Sequence, residues 1–216
     1  MVVWHLAKPL LAVSSAPLGG GLGLRSWVVN AEVAAAYARL DPDRHLEDLA
    51  AAAELTGSGV GMLTAAPVSD LSSATEDGVQ VDATVGIEHP TWASGTDDLL
   101  DDRRPGTINV VAFVPERLSH AALVNAVVTV TEAKAQALLD AGVPGTGTAS
   151  DAVCVLSMPE GIAERFCGPR SFWGARLARA TYRAISAGCT GGAEGEASSV
   201  RDPAGPVRRR PGTTAS

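Results

Sequence analysis

The segment Leu118–Ala141 constrains the fold more than any other feature of this sequence. It contains neither Gly nor Pro and is too long for a strand, so it predicts a helix even though β-branched residues are common in it. The apolar runs Thr107–Val114 and Ala152–Leu156 lie on either side and predict buried strands. These elements favour an α/β fold.

Shorter segments complete the α/β pattern. The stretch Asp41–Leu55 begins with Asp-Pro, which is typical of a helix start, and residues 170–187 form an amphipathic helical pattern. Further strands are predicted at Val2–Leu6, Leu10–Ser14, Arg25–Val33, Val60–Val68 and Gly78–Ile87. We expect residues 1–187 to form one domain, with a mixed sheet and flanking helices. Residues 188–216 are rich in Gly, Pro and Arg and predict a disordered tail.

Charge and hydropathy exclude two classes of partner. The net charge of −7 argues against a nucleic-acid-binding surface, which needs concentrated Lys and Arg. No run approaches the roughly 20 apolar residues that a membrane-spanning helix needs. The first apolar stretch is interrupted by Lys8 and Pro9, so we expect no signal peptide.

The spacing of Cys and His indicates neither a disulfide framework nor a metal site. The three Cys show no CxxC spacing and the four His show no HxxxH spacing, so we expect no metal and no cofactor. Cys154 lies in a predicted strand and is interpreted as a small core residue. The acidic residues Asp97, Asp98, Asp101 and Asp102 are interpreted as a solvated loop rather than a carboxylate metal site.

Four loops of unusual composition adjoin predicted strands. They are Ser14–Gly21, Leu63–Ala66, Gly106–Asn109 and the start of Val143–Leu156. Loops at strand ends are where α/β folds build their sites, so we expect these loops to carry the function.

Two of these loops allow both a structural and a functional interpretation. Consecutive glycines Gly19, Gly20 and Gly21 offer backbone N–H groups to an oxyanion or phosphate, but they also suit an ordinary turn. Thr146, Thr148, Ser150 and Asp151 precede a buried strand, where they form either a site wall or a set of turn caps. The sequence leaves both alternatives open.

The long predicted helix carries one polar stripe. Asn125, Thr129, Glu132 and Gln136 fall on one side of it, which is either a solvated face or, as the flanking apolar residues favour, a buried one. A buried Glu132 would need a partner or a raised pKa. Lys134 projects almost opposite to Glu132, so the two cannot pair locally.

Seven pieces of the chain, taken in order, resemble the adenosylcobinamide amidohydrolase family. They are SSAPLGGG (14–21), VVN (28–30), VGMLTA (60–65), ATVGIEHP (83–90), GTINVVAFV (106–114), LVNAVVTVTEAKAQAL (123–138) and GTGTASDAVCV (145–155). This chain departs from the family pattern at Ala31, where His is usual, at Ser150, where Thr is usual, and at TVGI (84–87), where TAGV is usual.

The resemblance implies hydrolysis of the amide that joins the aminopropanol arm of adenosylcobinamide to the corrin ring. The products would be adenosylcobyric acid and 1-amino-2-propanol. The partner would be a small-molecule corrinoid, and the location would be the cytoplasm. A homo-oligomer is compatible with the sequence, which does not define the oligomeric state.

Amide hydrolysis requires an activated nucleophile, donors for the oxyanion and an acid for the leaving amine. Our hypothesis is that Asp151 or Glu132 activates a water or the Thr148 hydroxyl, and that Lys134 fixes Asp151 or contacts a substrate oxygen. Backbone N–H groups of Gly19, Gly20 and Gly21 would bind the oxyanion, and Asn30 and Asn109 would hold amides. Further substrate contacts are expected from Ser14, Ser15, Thr64, Thr146 and Ser150.

Three alternatives remain at this point. A corrinoid-binding protein would share the pocket without turnover. A phosphotransfer enzyme would use the glycines for phosphate, but the chain lacks a P-loop lysine motif. A Thr148 nucleophile released by self-cleavage at the Gly147-Thr148 bond would yield two fragments on a denaturing gel.

Overall fold

The structure is a computed structural model that describes residues 1–95 and 106–190 in full, and the backbone of residues 208–211. The predicted acidic loop residues Asp97, Asp98, Asp101 and Asp102 lie outside the described residues.

The described residues form eight strands and three helices. The strands are β1 (Val2–Ser14), β2 (Gly21–Glu32), β3 (Gly59–Thr64), β4 (Ser72–Glu76), β5 (Val79–Gly86), β6 (Thr107–Val114), β7 (Ala152–Ser157) and β8 (Arg208–Pro211). The helices are α1 (Pro42–Ala52), α2 (His120–Asp140) and α3 (Phe172–Cys189). The predicted α/β class is confirmed.

One mixed sheet contains all of these strands. Its order is β3-β2-β1-β7-β6-β5-β4, and β8 pairs with Val2–His5 of β1. The pairs β2/β3 and β6/β7 are parallel, and the others are antiparallel. The parallel pair β6/β7 is connected through α2, as a parallel crossover requires.

The sheet is strongly curled, so that β2 and β3 approach β5 and β6 across its inner face. Asn30 in β2 donates to Thr84 in β5 at 3.0 Å and accepts from Asn109 in β6 at 2.9 Å, although β1 and β7 separate these strands in the sheet. Trp4 Nε1 likewise donates to Asp82 at 2.8 Å. A buried apolar cluster that includes Val28, Val60, Met62, Val111, Phe113 and Cys154 fills the space enclosed by the curl.

The helices pack on the outer face of the curled sheet. Helices α2 and α3 cover β5, β6 and β7, and α1 contributes Leu46 and Ala50 to a smaller cluster over β2. Ser119 and Ser171 cap α2 and α3 by accepting backbone N–H groups of Ala122 and Gly174 at 3.1 Å. The outer helices thus hold the sheet while its inner face remains available for a site at one end.

The structure differs from the predicted elements in several places. The predicted strands Val2–Leu6 and Leu10–Ser14 form one strand whose register shifts between His5 and Leu10. Strand β4 was not predicted. Helix α3 ends at Cys189, two residues beyond position 187, where the domain was predicted to end, and Arg208–Pro211 forms β8. The other residues after Thr190 lie outside the described residues.

Candidate active site

The inner face of the sheet changes from apolar to polar at one end. Alternate residues of a strand share a face, and along the inner face of β2, β3 and β6 the apolar side chains are followed by polar ones. These polar residues are Asn30, Thr64, Thr107 and Asn109. Thr84 joins them because it pairs with Asn109 across β5 and β6. Each of them has at most 3% of its surface exposed.

A cavity of about 300 Å³ opens at this polar end. Thr64, Thr107 and Ser150 contribute three aliphatic hydroxyl groups to its lining. Its other walls come from the segments around Pro17, Leu63 and Ala152, and from Tyr37 and Arg39 in the segment between β2 and α1. All four loops that the sequence singled out therefore contribute to or adjoin this cavity, and it is the candidate active site.

A buried carboxamide network links three strands beside the cavity. Asn109 Nδ2 donates to Asn30 Oδ1 at 2.9 Å and to the Leu63 carbonyl at 2.8 Å, and Asn30 Nδ2 donates to Thr84 Oγ1 at 3.0 Å. Asn109 Oδ1 is buried without a hydrogen-bond partner in the described part of the chain. It is therefore an acceptor that a ligand or a water can satisfy.

Asp151 and Lys134 form a buried ion pair next to the cavity wall. Their side chains are 13% and 8% exposed, and Asp151 also accepts the backbone N–H groups of Ile108 at 3.0 Å and Thr148 at 3.2 Å. Gly147 lies directly against the pair, because a Cβ at this position would lie 2.4 Å from Asp151 Oδ2 and 2.5 Å from Lys134 Nζ. The pair ties α2 to the starts of β6 and β7.

The hydroxyl groups of Thr148 and Ser150 meet on the Gly106 carbonyl, between this ion pair and the cavity. Thr148 Oγ1 lies 2.5 Å from Asp151 Oδ1 and 2.7 Å from the Gly106 carbonyl. Ser150 Oγ lies 3.2 Å from the same carbonyl and 2.8 Å from Thr107 Oγ1. Ser150 and Thr107 line the cavity, so Asp151 and Thr148 lie one layer behind its wall.

The serines and glycines of the β1–β2 hairpin hold the backbone together. Ser14 Oγ donates to the Val153 carbonyl at 2.9 Å, and Ser15 Oγ accepts from Val153 N–H at 3.0 Å. Gly19 packs on β3, since a Cβ there would lie 1.9 Å from the Gly59 carbonyl, and its own carbonyl accepts from Arg25 at 2.8 Å.

None of the three hairpin glycines lines the candidate cavity. Gly20 is held close to the Ala16 carbonyl, 2.5 Å from where its Cβ would lie, and Gly21 is the first residue of β2 with φ of 82°. The turn interpretation thus accounts for their geometry. The oxyanion role of Gly19, Gly20 and Gly21 stays a prediction that the cavity lining does not support.

Thr146 also has a structural partner. Its Oγ1 accepts Ala93 N–H at 3.1 Å, while Thr146 N–H donates to the Thr91 carbonyl at 2.9 Å. This residue fixes the segment after β5 against the loop before β7.

Glu132 lies elsewhere. It is exposed and lines a groove between α2 and α3 together with Arg179, Tyr182 and Arg183, so the expected buried position of Glu132 is wrong. The prediction assumed that the apolar residues of α2 are buried on every side. Val124, Val128 and Leu139 are instead exposed, so part of this helix faces solvent. The stripe is split, since Thr129 is fully buried and donates to the Cys167 carbonyl at 2.8 Å.

Sequence reasoning missed Tyr37, Arg39, Thr84 and Thr107. Thr84 and Thr107 carried a signal, because each lies two residues along its strand from a buried inner-face position. The segment before α1 carried no local pattern that points to a pocket. Within residues 1–95 and 106–190, no group of three His, Cys, Asp or Glu side chains is placed to hold a metal ion, and no helix is long and apolar enough to cross a membrane.

Comparison with known proteins gives one consistent family. The sequence pattern of the adenosylcobinamide amidohydrolase family matches residues 1–196. The chain is 27% identical over 183 residues to the adenosylcobinamide amidohydrolase of Methanosarcina mazei, covering 81% of this chain and 88% of that protein. It is 39% identical over 115 residues to the Halobacterium salinarum protein of the same name, covering 50% of this chain and 49% of that protein. This chain therefore belongs to the adenosylcobinamide amidohydrolase family.

Proposed function

We propose that this chain hydrolyses the amide bond between the aminopropanol arm and the corrin ring of adenosylcobinamide. The products are adenosylcobyric acid and 1-amino-2-propanol. The observation that carries the proposal is one cavity lined by Thr64, Thr107 and Ser150, with the buried Asn30–Asn109 network beside it, in a chain of this family. A cytoplasmic location, where adenosylated corrinoids are made and used, belongs to the same proposal.

The dimensions of the cavity suit the arm of the substrate rather than the macrocycle. A volume of about 300 Å³ is at the small end for a ligand site. Its walls are apolar at Pro17, Leu63 and Ala152, and hydroxyl groups lie opposite. A short aliphatic arm that carries an amide and a hydroxyl matches this combination, with the macrocycle remaining outside.

The carboxamide network supplies recognition of the scissile amide. Asn109 Oδ1 is a buried acceptor in need of a donor, and the amide N–H of the arm is such a donor. Asn30 holds the Asn109 side chain in place through Nδ2 of Asn109. Thr107 and Ser150, on the cavity wall, are placed to bond the arm hydroxyl or the amide carbonyl.

Hydrolysis requires a water to attack the amide carbon, forming a C–O bond before the C–N bond breaks. The attacking water gives its proton to the Thr148 hydroxyl, which passes its own to Asp151; where Thr148 itself attacks, Asp151 takes the proton directly. Lys134 positions Asp151 for this step. Because Asp151 lies behind the wall, it acts through the Thr148 hydroxyl, 2.5 Å away, and not by direct contact with substrate.

The test is to incubate the purified protein with adenosylcobinamide and to follow the corrinoid by chromatography and mass spectrometry. A parallel sample contains a chelator, so that a metal requirement becomes visible. Formation of adenosylcobyric acid and one equivalent of aminopropanol supports the proposal. Binding of the corrinoid without cleavage would establish the corrinoid-binding alternative instead.

A further inference from the structure

A tyrosine and a histidine form a hydrogen-bonded pair at the edge of the cavity. Tyr37 lines the cavity, and its Oη lies 3.0 Å from Nδ1 of His45, which belongs to the first turn of α1. The two rings stack with centroids 5.5 Å apart and an interplanar angle of 16°. Both side chains are half-buried, so the pair connects the cavity with solvent.

We infer that Tyr37 donates the proton that releases the amine product, and that His45 restores it. This inference rests on the proposed amide hydrolysis, because it concerns the last step of that reaction. It identifies a proton donor that lies on the cavity wall itself.

The other groups around the cavity are poorly suited to this role. The Asp151 carboxylate already accepts from Lys134, Ile108 and Thr148 and lies behind the wall. The Arg39 guanidinium does not give up a proton in proteins, and it is bound to Asp41 by two hydrogen bonds of 2.9 Å. Aliphatic hydroxyls such as those of Thr107 and Ser150 are much weaker acids than a phenol.

The proton movements balance around the breaking bond. With Nδ1 protonated, His45 donates to Tyr37 Oη and leaves the phenolic hydrogen free to turn toward the cavity. As the C–N bond of the tetrahedral intermediate breaks, its electron pair stays on nitrogen and takes that hydrogen. The phenolate then takes the proton from Nδ1, while Nε2 of His45 takes one from solvent. The proton lost by the attacking water returns to solvent.

The electrostatic surroundings keep Tyr37 in its protonated form. Burial raises the pKa of Tyr37 above its usual value of 10.0; nearby Arg39 lowers it less, and Asp41 adds to the increase. Two further charged residues lie near the pair. Asp48 of α1 raises the pKa of Arg39, and Arg44 directly precedes His45 in the helix. At neutral pH the phenol therefore carries the proton that the amine requires.

The experiment compares Tyr37→Phe and His45→Gln with two matched controls. The chain has one other tyrosine, Tyr182 of α3, whose hydroxyl donates to Asp140 at the end of α2, and an exposed histidine at the start of α2, His120. All four variants and the double variant Y37F/H45Q are assayed for kcat and KM on adenosylcobinamide. Thermal unfolding by circular dichroism checks that each one is folded.

We expect Y37F to lower kcat by about 10²-fold or more, the usual effect of losing a general acid, with KM within about twofold of wild type. The H45Q variant should lose less, and the double variant should be no slower than Y37F, because the two residues act as one unit. The controls Y182F and H120Q should retain wild-type kcat.

Three outcomes would overturn the inference. A Y37F enzyme with wild-type kcat would show that only the ring is needed, as an apolar wall. A rise in KM at constant kcat would assign Tyr37 to binding. An additive loss in the double variant would separate His45 from Tyr37. If the wild type itself fails to cleave the substrate, the proposed function fails first, and the pair has no reaction to serve.

Discussion

Lys134 of α2 and Asp151 at the start of β7 form an ion pair that is shielded from solvent, with 8% and 13% of the two side chains exposed. The two residues are on different elements, and α2 is the connection between the parallel strands β6 and β7. Asp151 also accepts N–H groups from Ile108 and Thr148. One carboxylate therefore fixes a helix and the starts of two strands behind the candidate site.

The Asp151→Asn variant tests whether this pair serves both stability and activity. The amide oxygen of the new side chain can still accept from Ile108 and Thr148, but Lys134 loses its counter-charge while buried. Leaving one charge of a buried pair alone costs on the order of 3 kcal/mol. We expect a folded protein of lower stability in urea denaturation and without measurable turnover. Full activity would contradict the role proposed for Asp151.

The double variant K134M/D151N separates the two effects. Methionine removes the unpaired charge and fills much of the volume of lysine, so most of the lost stability should return. Turnover should not return, because the carboxylate is still missing. If the double variant regains activity along with stability, Asp151 acts only as a structural residue.

Gly147→Ala tests the close approach of the loop to the ion pair. The added methyl would lie 2.4 Å from Asp151 Oδ2 and 2.5 Å from Lys134 Nζ, and these two atoms bond each other. We expect a large fall in kcat together with a lower melting temperature. Gly23→Ala is the control, because its methyl would meet only the end of the half-buried Arg25 side chain, at 2.5 Å, which bonds the Gly19 carbonyl outside the candidate site. Equal effects of the two changes would rule out a specific role for the space at Gly147.

Substitutions of Asn109 test the buried carboxamide network. Asn109→Ala leaves Asn30 Oδ1 and the Leu63 carbonyl without their donor, which costs about 1–3 kcal/mol for each buried group. Asn109→Asp has nearly the same shape but places a carboxylate against these two acceptors, so it should be the more destabilising change. Chemical denaturation of both variants decides the order. An aspartate variant as stable as wild type would mean that the amide nitrogen is not the group that faces Asn30.

Several elements were predictable because their local sequence and their tertiary surroundings agree. Strand β6 matches its prediction of Thr107–Val114 at both ends, since all eight residues are buried and the run lies between Gly106 and Pro115. Helix α1 begins at Pro42, as the Asp-Pro pair indicated, although the Asp41 carboxylate bonds Arg39 rather than the helix. Apolar and polar residues do not alternate strictly in β2, because residues 27–31 are all buried and both faces of the strand are covered there.

Other features depend on contacts that a local pattern does not contain. Pro9 does not end β1; it lies where the register shifts, between the segments that pair with β8 and with β7. Strand β4 is a half-exposed edge strand of small polar residues, for which the sequence has no apolar alternation. The sequence-based hypothesis includes the pairing of Lys134 with Asp151. The contribution of Tyr37 to the cavity, in contrast, follows from the curl of the sheet, and the residues next to Tyr37 in the sequence do not predict it.

Alkylation of the cysteines tests whether any thiol is available for chemistry at this site. Burial raises the pKa of Cys154 to about 12 and that of Cys167 to about 12, so neither provides a thiolate near neutral pH. Cys189 is half-buried at the end of α3, and burial raises its pKa as well, but it is the most accessible of the three.

At pH 8, iodoacetamide should slowly modify Cys189 in the folded protein and leave the other two intact until denaturant is added. Mass spectrometry of peptides gives the modified fraction at each position. Rapid labelling of Cys154 in the folded protein would show that the inner face of β7 opens to solvent, and it would make a thiol nucleophile a serious competitor to the hydroxyl relay.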